Sequence, residues 1–303
     1  MQNIRAQHFP DLPASPGGRP TKLSPQNKRF CIRAITSGHI QTGVAVTKKL
    51  ESELGVKVCD RTVRNALHEA GLGAMEKEKR PKLSAKNIRA RLQFAKLHQY
   101  WTISDWERVI FSDETKINRF CSDGRQWCWI RDGESRQDRH VKQTVKHGGG
   151  NVKIWGCMTA QGPGFMCKIE GFMNQHLYKQ ILEDELKQTI KYYGMKSDEL
   201  IFQHDNDPKH TAGSVQTWLD KQPFGVLEWP SQSPDLNPIE HLWASLKRRL
   251  NEYENPPKGM LELWDRIQAK WEQLDAEVCK KLVASMPHRI SAVLKAKGKW
   301  TDY

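Results

Sequence analysis

The most informative part of the sequence is the stretch LIFQHDNDPKHTA, residues 200–212. Its apolar run Leu200-Ile201-Phe202 predicts a short strand. Two aspartates, two histidines and a lysine then follow within nine residues, and Pro208 is a poor residue for continuing a central strand. We infer a strand that delivers Asp205 to one end of a sheet, after which the chain turns away at Pro208.

Two further acids occupy comparable positions. In ERVIFSDET, residues 107–115, the run Val109-Ile110-Phe111 predicts a strand that leads to Asp113. In SPDLNPIEHLWASLKRRL, residues 233–250, Asn237 is a natural helix N-cap and Pro238 fits the first helical position. Glu240 then lies in the first turn, off the apolar stripe formed by Ile239, Leu242, Trp243, Leu246 and Leu250. Alone, Glu240 fits an ordinary first-turn glutamate that bonds back to the cap.

Three carboxylates at the end of one sheet would repel one another and raise each other's pKa. A divalent cation removes this conflict, and an all-carboxylate donor set suits Mg²⁺ or Mn²⁺ rather than zinc. Paired ions of this type stabilise both the attacking and the leaving oxygen when a phosphodiester is cleaved. Asp113, Asp205 and Glu240 are therefore candidate catalytic and metal-binding residues.

Segments of both secondary-structure types surround these acids. QWCWI (126–130) and VKIWGCM (152–158) predict strands, and a helix is expected from Asn174 to Tyr193. A further helix is expected from about Thr211, followed by a strand at Val226-Leu227. This order predicts an α/β fold, a mixed sheet flanked by helices, over residues 104–303.

The region 27–73 has a different pattern, typical of three short helices that end near Gly38, Gly55 and Gly71. Such an arrangement predicts a small all-α helix-turn-helix domain. The outer face of its third helix, which Asp60 is expected to cap, carries side chains suited to reading base edges: Arg61, Thr62, Arg64, Asn65 and His68. A small helical bundle with a solvated polar face is the alternative.

Polar segments flank this domain on both sides. Residues 1–26 read as a flexible leader, and its Gly-Arg-Pro element places Arg19 where it suits a DNA minor groove, although a plain linker also fits. Residues 74–103 read as a basic linker. Its charge suits the phosphate backbone or a nuclear-import signal, or is simply solvated.

Composition narrows the class of protein. The 303 residues carry a formal net charge of +13, which favours a polyanionic partner such as nucleic acid or an anionic membrane surface. Seven cysteines without paired spacing argue against a zinc site or a disulfide framework. The sequence has neither an apolar run long enough to span a bilayer nor a secretory signal, so we expect a soluble intracellular protein.

Five motifs together resemble the Tc/mariner DNA transposases, in their Tc-like branch: FSDET, VKHGGG, WGC, HDNDPKHTA and WPSQSPDLNPIEHLWASLK. The 34 residues between Asp205 and Glu240 match the spacing of that branch. The resemblance covers residues 18–303. It implies an RNase H-like catalytic core, Mg²⁺-dependent strand cleavage, and cut-and-paste transfer of DNA that is bounded by terminal inverted repeats.

The resemblance also assigns individual residues. It makes Asp113, Asp205 and Glu240 the catalytic triad, whereas Asp207 and Asp235 order the neighbouring loops. Lys209 is a candidate contact to DNA phosphate, and the histidines beside it are either next to the metal or hydrogen-bonded. Trp127 and Trp129 lie in a segment that either contacts a partner subunit or completes the core as a hairpin.

The resemblance further implies double-stranded DNA as the partner, a homodimer or higher oligomer on that DNA, and location in the nucleus. Family members carry two helix-turn-helix units, of which only the second is visible here, so we expect a chain without the first. The alternatives are a transposase-derived DNA-binding protein without transposition activity and a cellular RNase H-like nuclease or resolvase. The intact triad favours an active transposase over the first of these. The DLNPIEHLW segment (235–243) and the N-terminal helical module argue against the second.

Overall fold

A computed structural model of the chain describes residues 21–37, 40, 42–74, 80–120 and 149–303. The chain divides into two compact units, Met1–Arg80 and Pro81–Tyr303, called here the N-terminal and C-terminal units. The boundary lies within the segment predicted as a linker. The Gly-Arg-Pro element with Arg19, the predicted strand at 126–130, and Trp127 and Trp129 lie outside the described residues.

Three helices form the described part of the N-terminal unit: α1 (Pro25–Thr36), α2 (Gly43–Leu54) and α3 (Asp60–Glu69). Ser24 and Thr42 cap the first two, because each side-chain hydroxyl accepts a hydrogen bond from a backbone N–H in the first turn. Gly55 ends α2 in the left-handed conformation (φ 64°) that glycine adopts without strain.

The three helices enclose a small apolar core of Leu23, Cys31, Ala34, Val46, Leu50, Val63, Ala66 and Leu67. The predicted cap at Asp60 is wrong, because Asp60 is the first residue of α3 and Cys59 precedes it. The Asp60 carboxylate pairs instead with Arg64, one turn further along the same helix.

The C-terminal unit begins with α4 (Ala85–Leu97) and α5 (Ile103–Glu107). Helix α4 lies in the segment 74–103 that was predicted to be a basic linker. The basic residues on the outer face of this helix led to the linker prediction. Its inner face, however, buries Arg91, Phe94 and Ala95. Residues 85–97 are therefore part of the folded C-terminal unit.

Within the described residues, five strands form one mixed sheet in the order β3-β2-β1-β4-β5. Strands β1, β2 and β3 pair antiparallel, whereas β4 and β5 are parallel to β1 and to each other. Their bounds are β1 (Val109–Asn118), β2 (Asn151–Thr159), β3 (Gly162–Ile169), β4 (Ile201–Gln203) and β5 (Gly225–Val226). The mixed sheet agrees with the predicted fold class.

Helices cover both faces of the sheet. On one side lie α6 (Gln175–Ile181), a π-helical turn (Leu182–Leu186), α7 (Lys187–Tyr192) and α8 (Gly213–Leu219). On the other lie α4 and the four C-terminal helices α9 (Ile239–Leu250), α10 (Met260–Glu272), α11 (Ala276–Ala284) and α12 (Met286–Lys295). None of the helices within the described residues is long and apolar enough to cross a membrane.

Strand β1 contributes to both faces in alternation. Val109 and Phe111 belong to the core beneath α9–α12, whereas Ile110 belongs to the core beneath α6–α8. Since side chains of a strand alternate between faces, Asp113 faces the α9 side and Glu114 the α6 side.

Candidate active site

The pairing of β1 with β4 brings two of the predicted acids to the same end of the sheet. Phe111 is paired with Gln203 at the end of the parallel register, and Asp113 and Asp205 each lie two residues further along the chain. The predicted strand before Asp205 is confirmed as β4, which ends at Gln203. The strand that was predicted to end at Asp113 continues to Asn118, so Asp113 lies within β1, just beyond its parallel pairing with β4.

Glu240 arrives from the first turn of α9. This helix begins at Ile239 with Pro238 as its N-cap, so the predicted N-cap at Asn237 is wrong by one residue. Oδ1 of Asn237 still accepts a hydrogen bond from the Ile239 backbone N–H at 3.3 Å. The same side-chain amide donates to Oδ2 of Asp113 at 3.3 Å, so Asn237 links the start of α9 to β1. Asp113, Asp205 and Glu240 line one cavity of about 380 Å³, which also contains Asp207 and Asn237.

The charges in this cavity act on each other. Burial raises the pKa of Asp113 well above its usual value, and the nearby charges of Glu240, Glu114 and Asp205 raise it further. Burial also raises the pKa of Glu240, and this effect is only partly offset by Lys247. The raised pKa values of Asp113 and Glu240 mean that the protein does not fully compensate their negative charge when they are ionised. Carboxylates perturbed in this way are typical of functional sites.

Asp205 behaves differently because His210 lies beside it. Nδ1 of His210 is 2.6 Å from Oδ1 of Asp205, and its Nε2 is 3.1 Å from Oε1 of Glu114. Burial opposes a charged ring, but these hydrogen bonds outweigh it and raise the pKa of His210 to about 9. Burial likewise opposes the ionised Asp205, yet the bond to His210 holds its pKa below the usual value.

Asp207 and Lys209 form the turn that follows. Oδ1 of Asp207 accepts a hydrogen bond from the Lys209 backbone N–H at 3.0 Å, which spans Pro208. The Lys209 ammonium lies 2.6 Å from Asp207 and 3.6 Å from Glu114. Lys209, predicted to contact DNA phosphate, is thus already paired with two carboxylates of its own chain.

His204 lies deeper than His210. It is buried between Phe202 and Tyr178, and both rings stack on it. Burial lowers the pKa of His204 to about 4, so this ring is neutral at physiological pH. Of the two histidines, His210 contacts a predicted metal ligand directly, through Asp205, whereas His204 contributes to the core.

The predicted DNA-reading face of α3 is present in the N-terminal unit. Arg61, Arg64, Asn65 and His68 are exposed, whereas Thr62 is half-buried and lies 3.2 Å from the sulfur of Cys59. The guanidinium of Arg64 is engaged by Asp60. Arg61, Asn65 and His68 are therefore the side chains of this face best placed to reach a duplex.

The donor set fits a divalent cation in its chemistry. The three predicted acids and Asp207 line one cavity, and burial together with the neighbouring negative charges raises the pKa of Asp113. Within the described part of the chain, no three His, Cys, Asp or Glu side chains are close enough to form a complete metal site as they stand. Asp205 is turned towards His210, so the carboxylates converge on the cavity without closing around a single point.

Two residues of the site escape sequence reasoning. Glu114 and Tyr178 hold His210 in place, through a hydrogen bond and a ring stack with centroids 3.9 Å apart. Alternation along β1 does predict that Glu114 lies on the face opposite Asp113, but it does not predict the contact with His210. The sequence carries no signal for the contact with Tyr178, which depends on how α6 packs.

Comparison with known proteins bears on the same residues. A family model described as DDE superfamily endonuclease matches residues 108–259, a range that contains all three acids. A second model, described as transposase and of the Tc3 helix-turn-helix type, matches residues 29–100. The Tcb1 transposable-element transposase of Caenorhabditis briggsae is 40% identical over 80% of this chain and 88% of its own. This chain belongs to the Tc/mariner transposase family.

Further relatives agree with that assignment. The Tc3 transposase of Caenorhabditis elegans is 30% identical over 93% of this chain and 82% of its own. A solved Mos1 transposase paired-end complex with the left transposon end superimposes with a TM-score of 0.80 at 19% identity. That superposition covers 99% of this chain and 86% of the Mos1 chain, and it confirms the RNase H-like fold class. As a Tc/mariner transposase, the protein is a DDE-type enzyme of cut-and-paste transposition.

Proposed function

We propose that this transposase uses Asp113, Asp205 and Glu240 to hold Mg²⁺ or Mn²⁺ while it cleaves DNA at transposon ends and joins them to target DNA. The observation that carries the proposal is the convergence of three carboxylates, from β1, the end of β4 and α9, on one cavity. Two solved Mos1 complexes are described as containing Mn and Mg, which supports the choice of ion.

The bound ions would supply stabilisation of the attacking and leaving oxygens of the phosphodiester. The protein's own residues position the ligands. Asn237 donates to Asp113 and accepts from the first residue of α9, so that one side chain contacts both Asp113 and the start of the helix that carries Glu240. Asn206 donates to the Trp229 carbonyl oxygen at 2.5 Å, which joins the Asp205 turn to the loop at 229–236 on the cavity wall.

DNA recognition is assigned to the helix-turn-helix domain, residues 27–73, and catalysis to residues 104–303. Arg61, Asn65 and His68 of α3 are exposed and of types that bond to base edges or phosphates. The net charge of +13 favours a polyanionic partner. We place the protein in the nucleus, on double-stranded DNA with the element's terminal inverted repeats, as a homodimer or a higher oligomer.

Cleavage by the full chain tests the proposal. Labelled DNA that carries the element's own ends is incubated with the protein in EDTA and then in Mn²⁺. Strand cleavage only in Mn²⁺ is the expected result. Equal cleavage in both conditions would overturn the three-carboxylate proposal, and DNA binding without cleavage in either would favour a transposase-derived DNA-binding protein.

A further inference from the structure

We propose that His210 is the positioning residue that orients the Asp205 carboxylate for metal binding, and that Glu114 anchors the far side of its ring. The inference rests on the proposed function, because it concerns the ion that Asp205 would bind. It adds to the three acids a hydrogen-bonded chain that runs from Asp205 through His210 to Glu114, and hence from the end of β4 to β1.

The strand alone does not fix Asp205. Asp205 lies two residues beyond Gln203, the last residue of β4, and its side chain is 50% exposed. Oδ1 accepts from the Asp207 backbone N–H at 3.0 Å and lies 2.6 Å from Nδ1 of His210. No described residue donates a hydrogen bond to Oδ2, so the contacts at Oδ1 set the orientation of the carboxylate and leave Oδ2 to a ligand.

His210 is itself held firmly. Its side chain is 3% exposed, and its ring stacks on Tyr178 with an interplanar angle of 28°. Its backbone N–H donates to the Asp207 carbonyl oxygen at 2.8 Å, and its carbonyl oxygen accepts from Gln216. Since Nε2 is also bonded to Glu114, the ring is held at both of its nitrogens and on the face that stacks on Tyr178.

Glu114 makes this arrangement specific to the site. It is the neighbour of Asp113, and its backbone N–H donates to Oδ1 of Asp113 at 2.7 Å. The two predicted aspartate ligands are therefore connected through Glu114 and His210 as well as through the sheet. Residues that orient metal ligands in this way typically contribute about 10–100-fold to metal affinity.

Two amide substitutions distinguish the contact at Nδ1 of His210 from the contact at Nε2. His210→Asn retains an N–H donor at the position of Nδ1, facing Asp205, and loses the bond to Glu114. His210→Gln places its donor nearer the position of Nε2 and loses the bond to Asp205. An exposed histidine at the start of α6, changed as His176→Gln, controls for loss of an imidazole.

Binding of Mn²⁺ to the full chain, measured by isothermal titration calorimetry without DNA, tests the proposal independently of cleavage. We expect His210→Gln to weaken Mn²⁺ binding at least about tenfold. His176→Gln is expected to stay within about threefold of the wild type. His210→Asn is expected to bind Mn²⁺ with an affinity between those of the wild type and His210→Gln, since it keeps the Asp205 contact and loses only the anchor to Glu114. If His210→Gln unfolds at the titration temperature, Glu114→Ala tests the anchor instead, with weaker Mn²⁺ binding expected.

The outcomes distinguish the two levels of the account. Wild-type affinity in His210→Gln, or in Glu114→Ala where that variant replaces it, overturns the positioning role while leaving the proposed function intact. Equal losses in His210→Gln and His210→Asn also overturn it, because the Nδ1 contact would then not be the one that matters. Asp205→Asn is the control that should lose Mn²⁺ binding. If the wild-type chain binds Mn²⁺ no better than this control does, the proposed function itself is overturned.

Discussion

Arg91 and Asp235 form a buried two-point ion pair, with Nη1 to Oδ1 and Nη2 to Oδ2 both at 2.7 Å. The pair joins α4 to the loop that precedes α9. Asp235 also accepts hydrogen bonds from the backbone and side chain of Thr301, so three distant segments meet at one carboxylate. Because this loop leads directly into α9, the ion pair helps to set the position of Glu240.

Removal of one partner should destabilise the C-terminal unit. Arg91→Ala leaves the Asp235 carboxylate buried without its partner, and such losses typically cost about 3–5 kcal/mol. Arg89→Ala, on the exposed face of the same helix, should change stability by less than about 0.5 kcal/mol. Urea unfolding of both variants measures the difference, and matching midpoints would show that the buried pair contributes nothing.

Gly156 should tolerate no side chain. It is paired with Asp113 across β1 and β2, and an added Cβ would lie 2.7 Å from the ring of Trp243 on α9. We expect Gly156→Ala to cost about 1–3 kcal/mol, as overpacking of a core usually does. Gly213→Ala is the matched control, since a Cβ there meets no heavy atom within 4 Å. Thermal melting that ranks the two variants in the opposite order would contradict this packing.

His98 should make stability depend on pH. Burial lowers its pKa below the usual 6.5, although the hydrogen bond to the Phe94 carbonyl oxygen partly offsets this. The unfolded chain therefore binds the proton more readily, so His98 begins to destabilise the fold as pH falls below about 6.5. We expect the urea midpoint to fall less between pH 7 and pH 5 in His98→Phe than in the wild type. A drop of unchanged size would exclude His98 as a source.

Arg61 should contribute to sequence discrimination by α3. A bidentate contact to a base edge is worth about 1–3 kcal/mol of discrimination, so Arg61→Ala should bind specific and unrelated DNA more nearly equally. Lys48→Ala removes the same charge from an exposed position on α2 and should weaken both to a similar degree. Competition binding at one fixed salt concentration compares how well the two variants discriminate specific from unrelated DNA. If Lys48→Ala lost discrimination and Arg61→Ala did not, the residues that read the sequence would lie on α2.

Local signals explain which elements were predictable. The apolar runs before Asp113 and Asp205, and the Asn-Pro start of α9, each lie within a few residues of the feature that they predict. By contrast, β3 begins with Gly162, Pro163 and Gly164, which are poor strand residues, and it forms because β2 pairs with it.

The remaining failures concern contacts between distant parts of the chain. Arg91 reads as one more charge in a basic run, whereas its buried partners, Asp235 and the carbonyl oxygens of Gln232, Gly298 and Lys299, lie at least 141 residues further on. From the sequence, His210 is either a metal-adjacent or a hydrogen-bonded histidine, and only the fold shows that Glu114 and Tyr178 lie beside it. That Asp113, Asp205 and Glu240 lie together was therefore predictable, whereas the residues that hold them in place were not.

The most direct test of the account compares neighbouring acids under one identical substitution. The initial rate of Mn²⁺-dependent strand cleavage is measured for the full chain with Asp205→Asn and with Asp207→Asn, alongside Asp113→Asn and Glu240→Gln, at matched DNA binding. Cleavage should fall to background in the three triad variants, because each loses an anionic ligand at constant size. Asp207→Asn should retain most of its rate, and an Asp207 variant more damaged than Asp205→Asn would contradict the assignment of the site.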